Sequence, residues 1–133
     1  MRLLRGTSPQ GRAMEVTLEG MGSVLVAFLT EGCEDCKGFW RTLGSPPPSG
    51  VDHVLIVTPD AATQDARTVA DLAPPGVEVV MSTQIWLDYQ VNGAPWFFFT
   101  DDGVVVAEGQ AGSWDEVGEL LARAGASPSA EGH

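Results

Sequence analysis

The sequence is poor in cysteine and in long apolar segments. Its 133 residues include two cysteines, too few for a disulfide-rich scaffold, and a bridge between them would close only a small loop. No apolar run approaches the roughly 18 residues of a membrane span, and the first twelve residues lack the apolar core of a signal peptide. We therefore expect a soluble protein, cytoplasmic as the sequence stands. The alternative is the extracytoplasmic face, if an anchor precedes Met1.

Basic residues are also scarce. Eighteen acids face seven bases, for a formal net charge of −11, and so negative a chain repels nucleic acid backbones and anionic lipid surfaces. The sequence has no P-loop, no glycine-rich dinucleotide turn and no HExxH motif, which leaves phosphate, nicotinamide and metalloprotease chemistry without support. Basic or neutral partners fit this charge better than nucleic acid or membranes.

The length and the 44% of hydrophobic residues are typical of one domain with a real core. We predict that the domain spans residues 14–125 and that residues 1–13 and 126–133 are flexible tails, because both ends are polar and rich in small residues. Hydrophobic periodicity predicts a possible first strand followed by the order β-α-β-α-β-α-β-β-α. The strands are predicted at 15–19, 22–30, 51–57, 77–81, 95–100 and 104–109, and the helices at 33–43, 58–73, 82–89 and 113–125. This order indicates an α/β fold, with a mixed central sheet covered by helices on both faces.

The two cysteines follow the most apolar predicted strand directly. Cys33-Glu34-Asp35-Cys36 stands at the start of the next predicted helix, where exposed backbone amides stabilise a thiolate. Cys33 is the natural attacking nucleophile because it comes first and is the more exposed. Cys36, one turn further along on the buried side, would resolve the mixed disulfide that Cys33 forms with a substrate.

A zinc site is the main chemical alternative for a CxxC pair. Structural zinc needs about four ligands, but the sequence has no third cysteine. Its two histidines are His53, in a predicted strand, and His133, at the C-terminus. We therefore predict no metal and no cofactor, the cysteine pair itself being the redox centre.

A second motif lies about 60 residues downstream of the cysteines. There Val91-Asn92-Gly93-Ala94-Pro95 leads into an apolar strand and the turn Asp101-Asp102-Gly103. Together with the strand VLVAFLT and the CxxC, this segment resembles the thioredoxin superfamily over residues 14–125. The arrangement of segments is most similar to the redoxin domains that accompany cytochrome or amine-dehydrogenase maturation.

The resemblance implies a substrate-binding role for the second motif. Pro95 would be cis, and the backbone of Ala94 would hydrogen-bond an incoming substrate chain as a short added strand. An ordinary trans proline at the start of an edge strand is the alternative. The chain also departs from thioredoxins proper, which carry Gly-Pro between the cysteines and a buried aspartate where this chain has Ala27.

The two acids between the cysteines oppose the helix dipole. Glu34 and Asp35, with Glu31 close by, should raise the pKa of Cys33 relative to a neutral dipeptide, and Lys37 and Arg41 offset only part of this. A less stabilised thiolate makes the dithiol easier to oxidise. We therefore predict a thiol donor, a reductant or isomerase, and not a strong oxidant.

The sequence supports three functional hypotheses. The first is a monomeric thiol–disulfide oxidoreductase, with a protein disulfide or thiol as substrate and another thiol system that recycles it. The second is a non-catalytic module that binds a peptide along the same groove. The third is a peroxide-reducing enzyme, but Thr30-Glu31-Gly32 replaces the proline and threonine usual before a peroxidatic cysteine.

Overall fold

The computed structural model describes residues 3–42, 51–74 and 76–123. Strands and helices alternate along most of these segments. The strands are β1 Leu3–Thr7, β2 Ala13–Thr17, β3 Ser23–Phe28, β4 His53–Thr58, β5 Glu78–Met81, β6 Trp96–Asp101 and β7 Val104–Gln110. The helices are α1 Lys37–Thr42, α2 Ala66–Leu72, α3 Thr83–Asp88 and α4 Trp114–Arg123. After β1, this order is the predicted one.

The strands form one mixed sheet in the order β2-β1-β5-β4-β3-β6-β7. β3 pairs in parallel with β4, and β4 with β5. The other pairs, β1 with β2, β1 with β5, β3 with β6 and β6 with β7, are antiparallel. β3 lies between β4 and β6, so it is paired on both edges, as its continuous apolar run predicts.

The two faces of the sheet carry separate apolar clusters. Side chains of β3 alternate between them, Leu25 and Ala27 on one face and Val24 and Val26 on the other. The first cluster includes the buried residues of α1, α2 and α4, and the second includes those of α3. The prediction of helices on both faces is therefore confirmed.

The short helices depend on side-chain caps. Ser82 accepts a hydrogen bond from the amide of Ile85 at the start of α3, which was predicted over residues 82–89. α2 begins later than predicted: its cap is Asp65, whose carboxylate accepts from the amide of Arg67. Residues 61–64 form a turn and a bend instead. Among the described residues, no helix is long and apolar enough to cross a membrane.

The N-terminal segment corrects the predicted tail. Residues 3–13 are not a frayed end: β1 pairs with β2 from Leu3↔Thr17 to Thr7↔Ala13 and touches β5 through Thr7↔Met81. Leu4 is buried in the second cluster. The short β1 sequence carries a weak local signal, and its pairing with two other strands stabilises it. The predicted tail at 126–133 lies outside the described residues.

Candidate functional site

Cys33 and Cys36 lie in the connection between β3 and α1 and are joined by a disulfide, with their Cα atoms 5.1 Å apart. Cys33 is half-buried, whereas Cys36 is 0% exposed. The sequence predicted that the cysteines lie in the first turn of the helix. α1 begins only at Lys37, so they form the turn before it instead. The amide of Trp40 donates to the Cys36 carbonyl at 2.9 Å, which places Cys36 at the cap position.

The turn directs a backbone donor at the outer sulfur. The amide of Cys36 lies 3.1 Å from Cys33 Sγ. A donor at this position stabilises a thiolate that forms on Cys33 when the disulfide is reduced. Cys33 is thus the more accessible of the two sulfurs, and its role as the attacking nucleophile stays a prediction.

Charged side chains surround the turn but stay in solvent. Glu34, Asp35 and Lys37 are all exposed, and the Lys37 ammonium lies 3.4 Å from a Glu34 carboxylate oxygen. Such an exposed pair contributes little stability. The pair does, however, involve the lysine that follows Cys36 in sequence, and the Asp35 carboxylate has no ion pair with any residue that the structure describes.

The strand-to-turn segment before Cys33 is anchored from two sides. The indole Nε1 of Trp40 donates to the Thr30 carbonyl at 3.1 Å. The amide of Glu31 donates to Gln64 Oε1 at 2.7 Å, and the Glu31 carboxylate accepts from the amide of Asp65. We call these last two hydrogen bonds the Glu31 latch. Sequence reasoning missed it because its partners lie more than 30 residues apart and leave no local signal.

The inner cysteine faces an apolar environment. Cys36 belongs to the same buried cluster as Ala27, Phe39 and Phe97. Within the described residues, the buried polar side chains are all hydroxyls, namely Thr58, Ser82 and Thr100. No buried carboxylate in this part of the chain replaces the aspartate that thioredoxins proper carry at the position of Ala27.

The second motif lies at the same end of the sheet as the disulfide. β3 and β6 are antiparallel, and Phe28 pairs with Trp96, so the end of β3 that leads to Cys33 lies beside the start of β6 that follows Pro95. Cys33 and Ala94 also pack against the same apolar cluster. The Ala94–Pro95 peptide bond is cis, as predicted.

The other candidates from the sequence lie elsewhere. Phe97, Phe98 and Phe99 are buried and belong to the core. Trp96 packs against the second cluster. His53 begins β4, where it pairs with Val24 at the far end of β3 from the disulfide. It is exposed, so it is a surface residue of the strand.

This mixed sheet, with a CxxC turn after an interior strand and a cis-proline before the adjacent strand, defines the thioredoxin-like fold. The resemblance found in the sequence is thus confirmed at the level of the fold. No family model and no curated protein sequence matches the chain at a significant level.

Solved structures match the chain over nearly its whole length. A candidate thiol:disulfide interchange protein DsbE from Chlorobium tepidum is 22% identical, with a TM-score of 0.69 over 92% of this chain and 94% of that one. The exposed lipoprotein thioredoxin Etrx1 of Streptococcus pneumoniae is 16% identical, with a TM-score of 0.71 over 91% and 98%. A secreted Mycobacterium tuberculosis disulfide oxidoreductase homologous to E. coli DsbE is 19% identical, with a TM-score of 0.69 over 90% and 94%.

Proposed function

We propose that this protein is a thiol–disulfide oxidoreductase that exchanges electrons with protein disulfides through Cys33 and Cys36. The observation that carries the proposal is the disulfide in the turn before α1, with Cys36 fully buried and the half-buried Cys33 sulfur facing an amide donor at 3.1 Å. Solved proteins with this fold that are named for disulfide exchange support it.

In the reducing direction the cycle starts from the dithiol. The Cys33 thiolate attacks one sulfur of the substrate disulfide, forms a mixed disulfide and displaces the other substrate sulfur as a thiolate. Cys36, after losing its proton, attacks Cys33 Sγ, so that the Cys33–Cys36 disulfide forms and the second substrate thiolate leaves. The two leaving thiolates take up protons, and the substrate has then gained two electrons and two protons from the pair. A separate dithiol system must return the two electrons.

The Ala94–Pro95 segment is the proposed binding site for the substrate backbone. The ladder between β3 and β6 begins at Trp96, so the peptide groups of Ala94 lie outside it. A substrate segment lying alongside Ala94 would therefore add as a short strand next to the disulfide. Main-chain hydrogen bonds of this kind favour an extended segment without requiring one particular sequence.

We propose the reducing direction because of the charges beside Cys33. Glu34 and Asp35 are exposed carboxylates, and among the described residues the ion pair beside the cysteines engages Glu34 and not Asp35. Negative charge beside Cys33 disfavours its thiolate and hence the reduced form. Replacing both acids by Gln and Asn should therefore raise the reduction potential. A potential that is unchanged or lower in this variant contradicts the assignment.

Single cysteine replacements test the exchange reaction directly. Because Cys33 and Cys36 are the only cysteines, any mixed disulfide that forms in Cys36→Ser must involve Cys33. We expect this variant to accumulate a stable mixed disulfide with a disulfide-containing protein such as insulin, whereas Cys33→Ser forms none. The measurement is intact mass after alkylation of free thiols.

The wild-type protein supplies the matching equilibrium measurement. In a dithiothreitol or glutathione series we expect one reversible two-electron transition, detected by the mass added on alkylation. If no intramolecular disulfide forms at any ratio, the oxidoreductase assignment is wrong. Peptide binding that survives replacement of both cysteines by serine would then identify the chain as a binding module.

The place of action and the assembly state belong to the same proposal. Similar structures include an exposed lipoprotein and a secreted oxidoreductase, which favours the extracytoplasmic face over the cytoplasmic site expected from the sequence. Labelling by a membrane-impermeant maleimide in intact, reduced cells tests this. Labelling only after lysis supports the cytoplasm.

We further propose that the protein acts as a monomer, which sedimentation equilibrium at micromolar concentration checks.

A further inference from the structure

A shallow pocket adjoins the cysteine turn on the side of α4. It has a volume of about 170 Å³ and lies between α1 and the start of α4. Its lining includes Asp35, from between the two cysteines, together with Gly38, Phe39, Gly112 and Trp114. An added Cβ at Gly38 would meet no atom within 4 Å, so this wall is open to an incoming side chain.

The aromatic walls of the pocket are held in place. Trp114 Nε1 donates to Thr42 Oγ1 at 2.7 Å, which ties α4 to the end of α1. The Phe39 and Trp114 rings meet edge to face with centroids 5.2 Å apart, and Phe39 packs in turn on Phe97 at 4.8 Å. The pocket therefore presents a preformed apolar and aromatic surface, and not one that must be assembled on binding.

One negative charge at this pocket is uncompensated. The exposed Asp35 carboxylate makes no hydrogen bond or ion pair with the residues that the structure describes. Lys37 is paired with Glu34 at 3.4 Å. Arg41 lies six residues from Asp35, beyond the three- or four-residue spacing at which helix side chains pair. A second carboxylate near the pocket, that of Glu116, differs from Asp35 because it accepts a hydrogen bond from the amide of Gly112.

We propose that this pocket binds a basic side chain, arginine or lysine, close to the redox cysteine of the substrate protein. The inference rests on the proposed oxidoreductase function and names the substrate class for it. The aliphatic stem of such a side chain packs on Trp114 and Phe39, while its cation pairs with Asp35 and lies near the indole. The net charge of −11 favours encounters with basic partners.

Other side chains fit this surface less well. An apolar side chain in the pocket would shield the Asp35 carboxylate from water without giving it a partner. An acidic side chain would be repelled by the same carboxylate. The pocket thus discriminates by charge, whereas the backbone of Ala94 would accept an extended segment of any sequence.

The test compares reaction rates of the fully reduced protein with short peptides. Each peptide carries one cysteine as a mixed disulfide with 2-thiopyridine, whose release is followed by absorbance. The peptides differ only in the residues that flank the cysteine, which are arginine, leucine or glutamate. Hydroxyethyl pyridyl disulfide, which has no side chain to place, measures the intrinsic reactivity of Cys33 in every variant.

At low salt we expect the arginine peptide to react about three to ten times faster than the glutamate peptide, after normalisation to the small reagent. Asp35→Asn should reduce this preference to less than about twofold, and Asp35→Lys should reverse it. Asp101→Asn is the matched control, because it removes one exposed charge at the opposite end of β6. We expect it to keep the wild-type preference. Added salt should weaken the preference in the wild type.

The outcomes separate this inference from the function on which it rests. Equal rates for the three peptides, or an arginine preference that Asp35→Asn retains, would refute the pocket while leaving the oxidoreductase assignment intact. The same holds if Asp101→Asn loses the preference as fully as Asp35→Asn, since charge would then act only at long range. Failure to react even with the small pyridyl disulfide would refute the proposed function itself.

Discussion

The Glu31 latch allows a quantitative prediction about how the cysteine turn is held. Glu31 donates its amide to Gln64 Oε1 at 2.7 Å and accepts from the amide of Asp65 through its carboxylate. Asp65 is also the cap of α2. Two hydrogen bonds therefore connect the segment before Cys33 to the start of α2, and no other hydrogen bond described for these residues spans that gap.

The expected magnitude follows from the two bonds. Glu31→Ala removes a charged acceptor, but the Asp65 amide remains close to solvent, so we expect a loss of about 1 to 2 kcal/mol in the free energy of unfolding. Glu31→Gln keeps an acceptor oxygen and should lose only about 0.5 kcal/mol. Gln64→Ala removes the acceptor for the Glu31 amide, at about 1 kcal/mol. Because both bonds hold the same segment, the double variant should lose less than the sum.

The assay is urea unfolding of the oxidised protein. With a typical slope of about 2 kcal/mol/M, Glu31→Ala should lower the midpoint by roughly 0.5 to 1 M without changing the slope. Glu119→Ala, an exposed acid on α4, is the matched control and should stay within about 0.5 kcal/mol of the wild type. Hydrogen exchange at the Asp65 amide provides a local readout and should speed up in Glu31→Ala. Equal losses in Glu31→Ala and Glu31→Gln, or unchanged exchange at Asp65, would refute the latch.

Two further predictions concern other close contacts. A Cβ at Gly6 would lie 2.6 Å from the Met81 carbonyl oxygen, so Gly6→Ala should push β1 away from β5 and lower the free energy of unfolding by about 1 to 3 kcal/mol. At Gly118, an exposed position of α4, an added Cβ would meet nothing within 4 Å. Gly118→Ala should therefore raise the free energy of unfolding by about 0.5 to 1 kcal/mol. If the urea midpoints of Gly6→Ala and Gly118→Ala shift in the same direction, the steric argument is wrong. Trp40→Phe removes the donor to the Thr30 carbonyl and should lower the free energy of unfolding by about 1 to 3 kcal/mol. An unchanged urea midpoint would show that this bond does not hold the turn.

Local patterns predicted most of the elements. The run of β3, the hairpin of β6 and β7 around its Asp-Gly turn, and the Ser82 cap each depend on residues within a few positions of one another. The order of elements was therefore predicted from β2 onward. Helix starts were less accurate: α1 and α2 begin at Lys37 and Ala66, because turns stabilised by the cysteine pair and by Asp65 precede them.

The candidate site divides in the same way. The sequence alone determined that two thiols follow an apolar strand, that Cys36 is the buried one, and that another strand follows Pro95, since spacing and hydropathy encode all three. Only the tertiary structure decided that β1 joins the sheet, that Glu31 meets Gln64 and Asp65, and that Trp114 forms a wall of the pocket beside Asp35. Each of these depends on contacts between segments distant in sequence, whose energy comes from packing and pairing across the fold and leaves no periodic trace in either segment.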